Sequence, residues 1–179
     1  MFWKKKKTTP PAGGYRCPDC GQIHTNWPAL AFDAPSHYHM LNKTDRRNIA
    51  RLDSDFCEIR HEDQTDRFIR VTLNQRVLDN CEDLNYGLWV SLSEKSYRDY
   101  WEHYNDDDHI TQYFGWLCSG LPEYDSTMSI PCTVFTQPDG QRPEIVPHED
   151  HDHPFVRDYH HGISKAEAER RVAAMLERF

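Results

Sequence analysis

Apolar and polar residues alternate along Asp55-Phe56-Cys57-Glu58-Ile59-Arg60, the period of a strand with one buried face. Residues 67–73 alternate as well, with Phe68 and Ile69 disputing the register, and the polar link 61–66 is short enough for a hairpin. Gly87-Leu88-Trp89-Val90-Ser91-Leu92 reads as a third strand, rich in residues that suit a pleated surface. Two more strands are predicted at 130–135 and 143–146, on either side of the turn signal Pro138-Asp139-Gly140. Behind Ser93, a suitable N-cap, the period becomes helical: Tyr97, Tyr100, Trp101 and Tyr104 fall at i, i+3, i+4 and i+7. Val172, Met175, Leu176 and Phe179 repeat that spacing behind the capping box of Ser164 and Glu167, which predicts an amphipathic helix over 164–179.

Between these elements the pattern is weaker. Residues 15–35 read as irregular, with Trp27 and Phe32 packing on the core, and residues 36–52 as one or two short helices. Tyr113-Phe114-Gly115-Trp116-Leu117 and Leu121-Pro122-Glu123-Tyr124 read as aromatic turns. The order predicts an α+β fold: an antiparallel or mixed sheet of about five strands with helices to one side. One domain is expected over 15–179. Residues 1–14, with four lysines at 4–7 and the pairs Pro10-Pro11 and Gly13-Gly14, are expected to be a disordered basic tail.

Composition makes this a polar chain with a core of few but large side chains. Its 179 residues are 37% hydrophobic with a mean hydropathy of -0.87, yet include 5 Trp, 9 Tyr and 8 Phe. That is too aromatic for a disordered chain. The formal net charge of -8 argues against binding to phosphate backbones or to an anionic membrane surface. It suits electrostatic capture of a basic partner protein. The start at Met1-Phe2-Trp3 followed by lysines lacks the apolar run of a signal peptide, and no stretch is apolar enough to span a membrane. Four of the six cysteines are scattered and mostly flanked by apolar residues, the usage of a reducing compartment, so a cytoplasmic location is expected.

One stretch points to specific chemistry. Cys17-Pro18-Asp19-Cys20-Gly21 with His24 has the spacing of a zinc knuckle. The turn aims two thiolates at one ion, and Gly21 permits the tight step that lets backbone amides donate to sulfur. No second C-x-x-C exists in the chain, so the fourth ligand of a structural zinc has to come from elsewhere. Cys57 is the first choice, and a histidine among His148, His151 and His153 the second. That histidine cluster, His148-Glu149-Asp150-His151-Asp152-His153, is also the basis of a rival reading as a metal-dependent hydrolase. A candidate groove is drawn from Trp89, Trp116 and Tyr124. Nucleic-acid binding through the knuckle is disfavoured by the charge, and no nucleophile motif or Gly-rich phosphate loop is present.

The ordered set of Cys17-Pro18-Asp19-Cys20-Gly21, Asp55-Phe56-Cys57, Gly87-Leu88-Trp89-Val90-Ser91-Leu92-Ser93, Gly115-Trp116-Leu117, Leu121-Pro122-Glu123-Tyr124, Arg142-Pro143-Glu144-Ile145, His153-Pro154 and Gly162-Ile163-Ser164 resembles a bacterial family known as domain of unknown function 2199. The resemblance covers roughly residues 15–165. It implies a bacterial cytosolic protein and brings no catalytic residues with it. The expected function is that of a zinc-binding, acidic interaction module.

Overall fold

The structure is a computed structural model that describes residues 27–175 with their side chains, and the backbone of 14–16, 23–25 and 176. Cys17, Cys20 and residues 1–13 of the predicted basic tail lie outside the described residues. In chain order the elements are β1 (Gly14–Arg16), β2 (Ile23–Thr25), β3 (Leu30–Ala31), α1 (Ser36–Met40), α2 (Lys43–Asn48), β4 (Ala50–Leu52), β5 (Phe56–Arg60), β6 (Thr65–Gln75), β7 (Leu84–Leu92), α3 (Glu94–Glu102), β8 (Gln112–Leu117), β9 (Pro131–Phe135), β10 (Glu144–Pro147), α4 (Pro154–His161) and α5 (Lys165–Leu176). β1 and β2 form a hairpin of their own, and the other eight strands form one mixed sheet in the order β3-β7-β8-β9-β10-β6-β5-β4.

The long antiparallel pair of β6 and β7 is the spine of that sheet, in register from Phe68 opposite Ser91 to Gln75 opposite Leu84. Asp83 closes the connection between them by accepting from the Val77 amide (3.0 Å) and the Asn74 side chain (2.8 Å). β8, β9 and β10 follow antiparallel to one another, and β10 then returns to pair in parallel with β6, Glu144 opposite Thr72. The Thr72 amide donates to the Pro143 carbonyl at 2.8 Å. Five strands, β6 to β10, therefore close into a barrel, which leaves no free edge among them. The expectation of an α+β fold with a mixed sheet holds, but the sheet is larger than predicted and is not open.

The barrel interior is filled by fully buried aliphatic residues, among them Ile69, Val71, Leu88, Val90, Leu117, Val134 and Ile145. There is no room for more at Gly115, where a Cβ would meet the Ser91 carbonyl and the Val134 side chain at 3.2 Å each. Packing this dense is what a small closed barrel requires.

The outer face of the sheet has two halves. One carries Cys57, Ile59, Phe68, Trp89 and Cys118, all buried beneath Phe32, Tyr38, Leu41, Ile49, Ala50 and Met128. The Trp89 indole N–H donates to the Phe32 carbonyl (2.9 Å) and the Ser36 amide to the Cys118 carbonyl (2.8 Å), tying the cover to the sheet. This settles the dispute between Phe68 and Ile69: neighbouring residues point to opposite faces, and here both faces are buried. The other half is uncovered, so Phe114, Trp116 and Phe135 remain 50%, 45% and 37% exposed.

The helices do not lie to one side. The residues around α1 and α2 cover the outer face, whereas α3, α4 and α5 contribute to the main core cluster. Tyr97 and Tyr100 of α3 are buried, and with Trp101 and Tyr104 they ring Phe56 at centroid distances of 4.6 to 5.8 Å. α5 begins as the capping box predicts, with Ser164 Oγ accepting from the Glu167 amide at 3.2 Å. Its Arg171 is almost wholly buried, paired with Asp158 (2.6 Å) and Glu167 (2.8 Å) and lying 5.2 Å over the Tyr124 ring. A buried guanidinium of this kind is tolerated only because each of its faces meets a carboxylate or a π system.

Candidate functional site

α3 is capped by Ser93, whose hydroxyl accepts from the Ser96 amide at 3.1 Å. Burial of Tyr97 and Tyr100 fixes the rotation of the helix, and Asp99 and His103 then fall one turn apart on a part-exposed face. The chain leaves the helix through two tight turns, with the Asp106 amide bonded to the His103 carbonyl (2.9 Å) and the His109 amide to the Asp106 carbonyl (3.1 Å). These turns bring His109 back over the helix. Thr136, just beyond β9, holds it there: its hydroxyl donates to the His109 carbonyl at 2.9 Å and accepts from the Thr111 amide at 2.7 Å.

The result is a convergent polar cluster. His109 Nε2 stands 2.9 Å from Asp99 Oδ2, and the Tyr113 hydroxyl donates to the same oxygen at 2.7 Å. His103 Nδ1 lies 2.9 Å from the Asp99 backbone carbonyl, which can only accept, so that nitrogen carries a proton. The two imidazole rings stack at 3.9 Å with an interplanar angle of 13°. The Tyr113 and His109 hydrogen bonds hold the Asp99 carboxyl below its usual range, and burial pushes the Tyr113 phenol up. Both histidines, with Asp106 and Asp107, also line a cavity of about 340 Å³ bounded by Tyr100, Gln141 and Arg142. Among the described residues, Asp99, His103 and His109 are the one group of three His, Cys, Asp or Glu side chains whose donor atoms all lie within 4.8 Å of one another.

The cluster sits in an unusual stretch of chain. Residues 99–141 contain eight Asp and Glu and no Lys or Arg, so the whole formal charge of -8 is concentrated there. The same stretch carries the uncovered aromatics Phe114, Trp116 and Phe135.

A family model described as "Uncharacterized protein conserved in bacteria" (DUF2199) matches residues 16–163. The chain belongs to DUF2199. Neither a curated protein nor a solved structure matches it. No helix among the described residues of this DUF2199 protein is long and apolar enough to cross a membrane.

The residues singled out by sequence are placed differently in the DUF2199 fold. Cys17 and Cys20 lie outside the described residues, and His24 is described only as backbone, in β2 opposite Tyr15. Cys57 is fully buried among carbon neighbours, which pushes its thiol up to about 12. His148 faces Thr133, with Nε2 3.0 Å from the hydroxyl, and His153 accepts the Phe155 amide through Nδ1 at 3.1 Å as the N-cap of α4. His151 stacks 6.3 Å from His153. These three histidines have separate tasks and do not converge on one point. Trp89 is a core residue, Tyr124 is half-buried with its hydroxyl donating to Asp158 (2.6 Å), and Trp116 alone of the three stands on the open face. The Asp99 cluster was missed by sequence reasoning, although Asp99 and His103 stand four apart in a helix that the sequence itself predicts.

Proposed function

We propose that this protein is an acidic interaction module of the bacterial cytosol that captures a basic partner protein on the uncovered aromatic half of its sheet. The observation that carries the reading is the coincidence of charge and exposed aromatic surface in residues 99–141. Phe114 and Trp116 meet edge to face at 4.9 Å, with the His148 ring 5.6 Å from Phe114. Glu144 stands beside Phe135 in the β9–β10 register, and Glu149 and Asp150 follow as exposed residues. Aromatic side chains of this size anchor interfaces, and the net acidic charge of the stretch that carries them steers a basic partner toward them. A second copy of the chain is disfavoured as occupant, because the same acidic stretch would face itself. The test is a purified partner identified by photo-crosslinking from position 114. Trp116→Ala should weaken that complex by at least about 30-fold, the size of an interface hot spot, and added salt should slow association. A crosslinked partner whose affinity is unchanged by Trp116→Ala sinks the reading.

Zinc at the N-terminal turn belongs to the same proposal. Its support is the β1–β2 hairpin, where Arg16 pairs with Ile23 and so draws together the two ends of the segment that carries Cys17 and Cys20. Cys17, Cys20 and His24 are the proposed ligands. Cys57, fully buried beneath the residues around α1 and α2, is left out of the set. Zinc analysis of protein purified without a histidine tag should show one equivalent fewer in Cys17→Ser than in wild type; equal zinc in both excludes the turn.

A further inference from the structure

We infer that Asp99, His103 and His109 form a site for a divalent transition-metal ion of the zinc class, separate from the N-terminal turn and open to the cavity beside it. Two imidazoles and one carboxylate are a nitrogen and oxygen donor set that suits zinc, cobalt and nickel. Donors on an ion with bonds of about 2.0–2.1 Å stand about 3.3 Å apart in a tetrahedron. Here Asp99 Oδ2 and His109 Nε2 are 2.9 Å apart, and all three donor atoms fall within 4.8 Å. The two rings stack at 3.9 Å with planes 13° apart, so their lone pairs run parallel and the His103 ring has to turn out of the stack to aim a nitrogen at the ion.

The surrounding hydrogen bonds prepare the donors. The Asp99 carbonyl holds the proton on His103 Nδ1, the ring nitrogen that stands 3.8 Å from the Asp99 carboxylate, and turning the ring exchanges that hydrogen bond for ligation of the ion. The Tyr113 hydroxyl bonds Asp99 Oδ2 and orients the carboxylate without competing as a cation. Between Asp99 and His109 the ion would take the place of the shared proton. His109 then carries its proton on Nδ1, or releases one to solvent if it started as imidazolium. Three protein donors leave a fourth position of a tetrahedral ion open, the arrangement that admits water or an exogenous ligand. That position would face the cavity lined by Asp106, Asp107 and Arg142. The nearby cations are engaged elsewhere, Arg142 with Asp55 and Arg98 with Glu94, and Asp106 and Asp107 on the cavity wall favour a cation that approaches it.

The experiment uses the full chain carrying Cys17→Ser and Cys20→Ser, so that the turn contributes no thiolate, with Zn²⁺ and Co²⁺ as probes in calorimetry and absorption spectroscopy. One equivalent of Zn²⁺ should bind, and the Co²⁺ complex should lack thiolate charge-transfer bands. Adding His103→Ala and His109→Ala should weaken binding by at least about 100-fold, beyond what loss of a mere orienting partner costs. Adding His148→Ala, His151→Ala and His153→Ala instead should leave it unchanged. Asp99→Asn, which keeps the shape of the side chain, guards against a folding defect and should weaken binding at least about tenfold. The imidazole nitrogen resonances of His103 and His109 should shift with Zn²⁺ in the parent. The proposal is overturned if the parent binds no Zn²⁺ at micromolar concentrations, if binding survives loss of both histidines, or if it is lost only with the residues of the 148–153 segment.

Discussion

Two groups of histidines differ in how they appear in the chain and how they end in space. His148, His151 and His153 are crowded into six residues with three carboxylates, yet each is turned to a different neighbour: Thr133, the adjacent ring and the α4 amide. Asp99, His103 and His109 are spread over eleven residues and bring their donor atoms within 4.8 Å of one another, Asp99 and His109 at 2.9 Å. The difference lies in the backbone. An irregular or extended run sends successive side chains in diverging directions, whereas a helix aligns positions four apart and a turn anchored elsewhere can add a third. Density along a sequence is therefore a poor guide to convergence.

The comparison breaks most clearly if Asp99 proves dispensable to the fold. Asp99→Ala leaves the Tyr113 hydroxyl and His109 Nε2 without their shared acceptor, and Tyr113 is largely buried. The expected loss is about 1.5 kcal/mol, less than two enclosed charge-assisted hydrogen bonds would give, because Asp99 is partly solvated. In a chain of this size that lowers Tm by about 3–6 °C. His151→Ala, on a part-exposed side chain beside the His153 ring, should stay within about 0.5 kcal/mol of wild type. The same carboxylate gives a pH signature. Its folded value is held below the ordinary one by Tyr113 and His109. The stabilisation is thus complete above the unfolded value near 4 and fades as pH falls through the lower folded value. Denaturant melts at about pH 5 and about pH 3 should show wild type losing more stability than Asp99→Ala over that interval. Equal losses would mean that the carboxylate is not tied to its partners.

Much of the fold was legible from periodicity. β5 and β6 are legible from alternation, β7 from its strand-forming residues, β9 and β10 from the turn signal between them, and α3 and α5 because a cap and an apolar stripe coincide. β8 was hidden. Its outward residues Phe114 and Trp116 are as apolar as its inward ones, so Tyr113-Phe114-Gly115-Trp116-Leu117 shows no alternation and passes for a turn. α4 was hidden behind the histidines at its two ends, although Pro154 at its first turn is the ordinary start signal. Barrel closure was out of reach for a different reason: the parallel pairing of Glu144 with Thr72 joins residues 72 positions apart in the chain, and no local pattern encodes it. The candidate site was half legible. Asp99 and His103 follow from the predicted helix, but the arrival of His109 depends on Thr136 and the turns that follow the helix.

His153 offers the finest test of the comparison, because it separates a structural histidine from a ligand. Its Nδ1 accepts the Phe155 amide at the start of α4, the place ordinarily held by Ser, Thr, Asp or Asn. Its removal should therefore behave as loss of a cap. His153→Ala is expected to cost about 0.5 kcal/mol, at the low end for capping residues, while His153→Asp should restore most of it by offering an oxygen to the same amide and a negative charge to the helix start. A ligand would respond the other way, since the measured stability of His153→Ala would fall further behind wild type as Zn²⁺ is added. Equilibrium melts of the three proteins with and without Zn²⁺ distinguish the two. Rescue by aspartate with no zinc-dependent gap keeps His153 in the helix cap, and a gap that widens with zinc would move the metal chemistry from Asp99 to the 148–153 segment.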